Sequence, residues 1–221
     1  MIMTHMTLPA QVKDLLRTYL AAEPLALSAA PVGGGCLNQA VRLTCEQGTF
    51  FAKWHAARRP GQFACEAQAL RLLAQRVRAP QPLGWSDTEE ARGPFSCLLL
   101  EWVEPGPPGD PAQVGEALAR LHSPGAETRF GFPCEGYCGA TPQPNRWDTD
   151  WVRFFGEQRL GSQLRLAADN GLATDALAAG ERLRANLARY LDNSEPPALI
   201  HGELWQGNLL HNRQGQPVFV D

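Results

Sequence analysis

The first half of the chain alternates apolar and polar residues in a way that predicts an antiparallel sheet. Residues 25–32, 40–45 and 49–54 each have the length and alternation of a strand, and the EQG turn between the last two predicts a hairpin. Residues 96–103, SCLLLEWV, are almost continuously apolar, which is typical of a strand buried on both faces.

One helix interrupts these strands, and a breaker ends the first half. Residues 62–76 place Phe63, Ala67 and Leu70 on one apolar stripe, which predicts an amphipathic helix. The EPGPPG sequence at 104–109 stops regular structure. We therefore predict two lobes, an N-lobe over residues 1–103 and a C-lobe over residues 104–221.

The second half is predicted to be mainly helical. Asp110 and Pro111 have the residue types of an N-cap and first helical position, and an apolar stripe follows them. The glycine- and proline-rich residues 123–147 show no period and are predicted to form an ordered loop. The remaining predicted elements are helices at about 148–160 and 174–191, a strand at 198–200, a loop at 201–208 and a hairpin turning near Gln214 and Gly215.

The composition argues against some classes of function but does not identify the function. The chain has 221 residues and a net charge of −3, which does not favour nucleic acid or an anionic membrane as the main partner. No apolar run approaches the ~18 residues of a membrane span, and the N-terminus lacks the pattern of a secretion signal. Six scattered cysteines do not indicate a disulfide scaffold, so a cytoplasmic location is expected.

Three features of the first half point to a nucleotide when taken together. The glycine run Gly33, Gly34 and Gly35 follows the first predicted strand, where backbone amides can approach phosphate oxygens. Lys53 lies on an apolar strand, and Glu66 lies on the following helix. A strand lysine paired with a helix glutamate positions nucleotide phosphates in the kinase template, although a lone strand lysine usually faces solvent.

The loop HGELWQGN carries the candidate catalytic groups. His201, Glu203 and Asn208 have the spacing of the kinase catalytic loop, with glutamate at the acidic position. Asp221 follows a short apolar strand just after this loop, where a metal-binding aspartate is expected. Each residue alone has an ordinary structural explanation, such as a cap or a surface acid. Their joint order predicts phosphoryl transfer.

Each group has a physical role in that hypothesis. Lys53 would hold the α- and β-phosphates of ATP, and Glu66 would hold Lys53. Asn208 and Asp221 would bind Mg²⁺, which prefers hard oxygen ligands. Glu203, with His201 as a further catalytic candidate, would accept the proton of the substrate hydroxyl. The adenine would lie against the backbone and apolar wall of Glu101, Trp102 and Val103.

The motifs GGGCLN and IHGELWQGN, and above all residues 139–160, GATPQPNRWDTDWVRFFGEQRL, resemble the fructosamine/ketosamine-3-kinase family. The resemblance runs from about residue 28 to residue 221. It implies an α+β, bilobal protein kinase-like fold related to aminoglycoside phosphotransferases, with an antiparallel N-lobe sheet, one helix beside it, and a mainly helical C-lobe that ends early, at Asp221.

The resemblance also implies a reaction. Members of this family use ATP and Mg²⁺ to phosphorylate the 3-hydroxyl of ketosamines, which destabilises the adduct and so deglycates amines, including protein lysines. The substrate would be a small-molecule or protein-bound ketosamine. By resemblance, its candidate contacts are Gln143, Asn145, Trp147 and Trp205. Core packing is the alternative for Trp147, and it is the preferred reading for Trp151.

Two departures from the family pattern affect this expectation. The family has aspartate where this chain has Glu203, and one methylene moves a carboxylate by roughly 1–1.5 Å, which predicts either slower catalysis or a site adjusted around the longer side chain. Family members also continue past the aspartate that corresponds to Asp221. The chain is expected to be a fragment of a longer protein, with a truncated, poorly binding product as the alternative.

Several alternatives stay open at this stage. Cys36 beside the glycine run could be a redox-sensitive thiol or simply a small residue in a turn, so the protein could be a monomer or a redox-linked dimer. The chain could also be a catalytically weak or inactive nucleotide- or ketosamine-binding homologue, or a kinase for another small hydroxylated metabolite. Its preferred ketosamine is not predictable from sequence.

Overall fold

The computed structural model describes residues 8–33, 38–56, 59–87 and 94–221, which form two compact units. The first unit combines the chain through Leu121 with His201–Asp221, and the second unit is His122–Ile200. The predicted division into lobes at residues 104–109 stays a prediction, because these units divide the chain at other positions.

The first unit contains a five-stranded antiparallel sheet with the strand order β1-β2-β3-β5-β4. Its strands are β1 (Ser28–Pro31), β2 (Gln39–Cys45), β3 (Gly48–His55), β4 (Pro82–Ser86) and β5 (Ser96–Glu101). The first five residues of β5 are all buried, which confirms the apolar run as a strand enclosed on both faces.

Two helices accompany this sheet, one more than the sequence predicted. Helix α2 (Gln62–Leu73) buries the predicted stripe of Phe63, Ala67 and Leu70. Helix α1 (Ala10–Leu20) buries Val12 and Leu16 in the same core cluster as strands β2, β3 and β5. The expectation of a single helix in this part of the chain was therefore wrong.

The breaker at residues 104–109 packs closely against a hairpin. The hairpin consists of β8 (Leu209–His211) and β9 (Pro217–Phe219). The Gly106 N–H donates to the His211 carbonyl at 2.8 Å, and a Cβ at Gly109 would lie 1.8 Å from the Gly215 oxygen. These glycines let two backbones approach where a side chain could not fit. Helix α3 (Pro111–Leu121) follows.

The second unit is mainly helical. Its elements are β6 (Gly136–Cys138), β7 (Thr141–Gln143), α4 (Trp151–Phe154), a π-helix (Phe155–Gly161), α5 (Ser162–Asp169), α6 (Thr174–Ala185) and a 3-10 helix (Leu187–Arg189). The helix predicted at about 174–191 is therefore α6 followed by this short 3-10 helix. The helix predicted near 148–160 is thus a short α-helix continued by a π-helical segment. The predicted strand at 198–200 is wrong, because Ala198 makes only an isolated bridge with Pro124.

Aromatic packing accounts for the start of the helical region of the second unit. Trp151 stacks on Phe154 with ring centroids 5.8 Å apart and approaches Phe130 at 5.2 Å. This geometry confirms core packing for Trp151. Within the described ranges, none of the helices is both long enough and apolar enough to cross a membrane.

Candidate functional site

The ammonium group of Lys53 lies between two carboxylates in the first unit. Strand β3 carries Lys53 into the interior, where its side chain is 7% exposed, and Nζ lies 2.9 Å from Oε1 of Glu66 on α2. Nζ also donates a hydrogen bond to Oδ1 of Asp221. The structure therefore brings together the predicted strand lysine, helix glutamate and metal-binding aspartate.

Charge compensation keeps the buried Lys53 charged. Burial lowers the pKa of Lys53, but attraction by Glu66 and Asp221 outweighs burial and leaves that pKa above its ordinary value. The positive charge of Lys53 lowers the pKa of Asp221. Burial raises the pKa of Glu66, with the charge of Lys53 opposing the rise. A buried lysine that stays charged is suited to binding phosphate oxygens.

His201 links the start of the HGELWQGN loop to the segment that ends in Asp221. Its Nε2 donates to the Val220 carbonyl at 3.1 Å, and its Nδ1 accepts the Glu203 N–H at 3.4 Å. Burial lowers the pKa of His201, in keeping with a neutral ring that donates from one nitrogen and accepts at the other. In this arrangement His201 positions the loop.

Asn208 holds the other end of the loop. Its Nδ2 donates to the Glu203 carbonyl at 3.0 Å, and its own carbonyl accepts the Val220 N–H at 3.0 Å. The second bond places Asn208 beside the residue that precedes Asp221. One carboxamide oxygen and one carboxylate are thus available at neighbouring backbones, and both are hard donors of the kind that Mg²⁺ prefers.

The proposed base and the loop tryptophan both face solvent. Glu203 is exposed, while its backbone is fixed on both sides by His201 and Asn208. Trp205 is 58% exposed, a high value for an indole. An exposed acid and an exposed aromatic ring two residues apart can contact the same small molecule.

The predicted adenine-binding residues lie at the end of β5. The Glu101 N–H donates to the Gln81 carbonyl at 2.9 Å. The Trp102 Nε1–H donates to Glu104 at 2.9 Å, and the Arg42 guanidinium lies 5.6 Å from the Trp102 ring centroid. Val103 is buried. The role of Glu101, Trp102 and Val103 in adenine binding stays a prediction.

Arg78 is a connecting residue that the sequence pattern did not reveal. Its side chain pairs with the Glu101 carboxylate, and its carbonyl accepts the Phe219 N–H at 2.9 Å. The segment after α2 is thus joined both to the end of β5 and to β9. Arg78 lies outside any helix or strand, where no periodicity marks a contact, so only the fold shows these contacts.

The second unit contains the other predicted substrate residues. Asn145 is buried, with Oδ1 accepting from Arg159 at 2.8 Å and Nδ2 donating to the Cys134 carbonyl at 2.9 Å. Its amide therefore holds the loop together, and direct substrate contact stays a prediction. Arg159, from the π-helix, also reaches the Pro144 carbonyl and is a second residue that sequence reasoning missed.

Gln143 and Trp147 lie on either side of Asn145. Gln143 pairs with Gly136 in the β6–β7 hairpin. Trp147 is 37% exposed, and the Arg129 guanidinium lies 4.6 Å from its ring centroid. The partial exposure leaves the substrate hypothesis for Trp147 as a prediction.

The glycine run lies mostly outside the described residues. Gly33 is described, and a Cβ there would meet no atom within 4 Å. Gly34, Gly35 and Cys36 fall outside the described part of the chain, so phosphate binding by the run and redox sensitivity of Cys36 stay predictions.

The family model for fructosamine kinase matches residues 9–221. A protein-ribulosamine 3-kinase of Arabidopsis thaliana chloroplasts is 33% identical over 220 residues, covering 96% of this chain and 67% of the relative. A probable ketoamine kinase of Enterococcus faecium is 36% identical over 210 residues, covering 93% and 73% respectively.

Solved structures agree with the sequence matches. A Thermobifida fusca protein described as a fructosamine-3-kinase candidate superimposes with a TM-score of 0.78 at 32% identity, covering 95% of this chain and 72% of that one. The aminoglycoside phosphotransferase APH(4)-Ia, in complex with ADP and hygromycin B, gives a TM-score of 0.60 at 12% identity, covering 96% and 70% respectively, and so shows a shared fold alone.

The match extends over nearly all of this chain and about two thirds of the length of the Arabidopsis relative. It confirms the α+β, protein kinase-like fold and the family resemblance. On the family match and these identities, the chain belongs to the fructosamine kinase family.

Proposed function

We propose that the protein is an ATP- and Mg²⁺-dependent kinase that phosphorylates the 3-hydroxyl of ketosamines. The observation that carries the proposal is the buried ammonium of Lys53, bound by both Glu66 and Asp221. Strand, helix and returning C-terminal segment meet at that group. Such convergence suits a reaction in which the protein mainly positions phosphates and neutralises their charge.

Each of these residues has a separate role in the proposed reaction. Lys53 binds the α- and β-phosphates of ATP, and Glu66 fixes Lys53. The acceptor hydroxyl oxygen forms a bond to the γ-phosphorus as the bond from that phosphorus to the β–γ bridging oxygen breaks, which releases ADP. Glu203 takes the hydroxyl proton. His201 and Asn208 fix the backbone that carries Glu203.

The donor set around Asp221 fits a magnesium ion. Asn208 and Asp221 supply oxygen atoms, and the hydrogen bond between Asn208 and Val220 keeps their backbones adjacent. When bound, Mg²⁺ neutralises charge on the phosphate oxygens. Asp221, which pairs with Lys53 in this structure, would hold the ion together with Asn208, and phosphate oxygens would be partners for Lys53.

The acceptor class rests on family membership and on exposed groups. Trp205 presents an open ring beside Glu203, and an indole can bind a sugar face or an amine. Phosphorylation at the 3-position would make the adduct unstable, so the proposed biological result is deglycation of amines or protein lysines. We further propose a cytoplasmic location.

A phosphorylation screen tests this function. The protein is incubated with ATP and Mg²⁺ and with fructosyl-, ribulosyl- or erythrulosyl-amines, choline or an aminoglycoside, and ADP and phosphorylated product are quantified. We expect turnover with one or more ketosamines and a loss of at least ~10²-fold in Lys53→Met. Turnover of choline or the aminoglycoside alone would contradict the ketosamine assignment. Ketosamine binding without turnover would identify a binding protein.

A further inference from the structure

Gly207 lies directly under the indole of Trp205. A Cβ at position 207 would lie 2.4 Å from both Cη2 and Cζ2 of that ring and 2.8 Å from Cε2. Real Cβ atoms do not approach other atoms so closely. The indole therefore occupies space that any side chain at position 207 would need.

Space, and not backbone conformation, is what the glycine provides. Gly202 in the same loop has a φ of +91°, in the left-handed region that favours glycine, whereas Gly207 lies in the short 3-10 turn Gln206–Asn208 outside that region. Alanine at 207 would be compatible with the backbone. It would collide only with the far end of a side chain that can rotate away, so the chain should fold while the indole moves.

The indole lies on a backbone that is fixed at both ends. The Trp205 carbonyl accepts the Asn208 N–H at 2.9 Å, and Asn208 also holds the Glu203 carbonyl. With the backbone held, the direction of the ring depends on its own torsions and on the space over Gly207. Because the ring remains 58% exposed, burial alone does not fix it.

We propose that Gly207 is a positioning residue that sets the Trp205 indole for recognition of the acceptor, and that the ring recognises the protonated secondary amine of a ketosamine. The inference rests on the proposed function. A cation over an indole face gains electrostatic stabilisation that a neutral sugar does not, and the ring lies two residues from the acid that would take the proton. Gly207 acts through the ring without touching the acceptor.

A double-mutant cycle tests this role in the full chain. KM and kcat for fructosyl-lysine are measured for wild type, Gly207→Ala, Trp205→Ala and the double variant. We expect each single variant to raise the acceptor KM about 2- to 30-fold with ATP KM unchanged, and the double variant to match Trp205→Ala alone. Multiplicative effects, or an equal rise in ATP KM, would overturn the proposal.

A matched control separates steric displacement of the ring from the mere addition of a methyl group. Gly115 lies in α3, and a Cβ there would meet nothing within 4 Å. Gly115→Ala should leave both KM values unchanged.

An acceptor whose amine is acylated, and therefore neutral, should bind equally to wild type and Trp205→Ala. Unequal binding would overturn recognition of the charge.

A binding measurement keeps this inference separate from the kinase proposal. The Trp205 indole N–H resonance, assigned by its loss in Trp205→Ala, is followed by NMR during titration with fructosyl-lysine. A shift that weakens in Gly207→Ala but not in Gly115→Ala would support the inference even if wild type has no turnover, an outcome that would remove the kinase function alone. The absence of a shift in wild type would overturn the inference.

Discussion

At the residue scale, neighbouring side chains fix the position of the Lys53 ammonium in the first unit. Lys53 is buried with Glu66, and losing one partner of such a buried ion pair typically costs about 3–5 kcal/mol, whereas the second carboxylate, Asp221, is 47% exposed. Glu203 differs from Lys53 in that only its backbone is fixed by neighbours. Its backbone is held by His201 and Asn208, and its carboxylate is exposed.

This contrast gives a prediction for Glu203. Glu203→Asp should lower kcat by on the order of 10-fold or more, because the fixed backbone cannot compensate for a carboxylate that retreats by roughly 1 Å. Glu203→Gln should lower kcat further, by ~10²–10⁴-fold, because an amide cannot accept the proton. Steady-state kinetics with the ATP KM as control measure both effects. A higher kcat in Glu203→Asp would show that the site retains the geometry of the shorter acid.

At the element scale, α4 begins with a compact set of side-chain hydrogen bonds. Asp150 caps the helix by accepting the Arg153 N–H at 2.8 Å. Asp148 accepts the Asp150 N–H at 2.8 Å and the Arg153 Nε–H at 2.7 Å. These bonds fix the turn between the loop that carries Trp147 and the helix, and they satisfy amides that a helix start leaves unpaired.

The same turn gives a pH dependence. Hydrogen bonding to Arg153 lowers the pKa of Asp148 in the folded chain, against a smaller opposing effect of burial. Its contribution to stability is therefore fully present above the unfolded-state pKa, about 3.9, and is lost as pH falls through the lowered folded-state value. Asp148→Asn should cost about 1 kcal/mol at pH 7, since Arg153 is exposed, and nothing at very low pH. Urea unfolding at several pH values measures this, and an unchanged pH profile would contradict it.

The contact of the breaker with the hairpin gives a second element-scale prediction. Gly109→Ala should lower the free energy of unfolding by about 2–3 kcal/mol, because its Cβ would meet the Gly215 backbone oxygen, which cannot rotate away. Gly115→Ala is the control and should be neutral or stabilising by up to about 1 kcal/mol, since alanine favours a helix. Equal melting temperatures for the two variants would contradict the close approach.

At the scale of the whole molecule, the first unit is assembled from two distant parts of the sequence. Phe219 is fully buried in it, and its N–H is bonded to the Arg78 carbonyl. Phe219→Ala should cost about 3–5 kcal/mol and should weaken amide protection in β3 and β5. Hydrogen exchange measures this effect. Unchanged protection in both strands would show that β9 does not support the sheet.

Sequence patterns predicted those elements in which the spacing of apolar residues matches the buried face of a strand or helix. The strands and α2 follow from periodicity, because alternate strand residues share a face and helical residues three or four apart share a face, whereas the grouping of Lys53 with Glu66 followed from the kinase template. Helix α1 has an apolar stripe at helical spacing (Val12, Leu15, Leu16 and Tyr19) that the prediction overlooked, whereas β4 contains proline and glycine and gave no clear period. The contacts of Arg78 and Arg159 depend on tertiary folding, which no local pattern encodes.

Because residues 201–221 belong to the first unit, that unit cannot be completed until they have been synthesised. A ribosome adds about 5–20 residues per second, so the roughly 80 residues between Leu121 and His201 delay the returning segment by on the order of 4–16 s. During that interval Lys53 has Glu66 within its own stretch of chain, while Asp221 has not yet been made. The proposed chemistry is therefore acquired only when Asp221, 168 residues away along the chain, reaches the lysine.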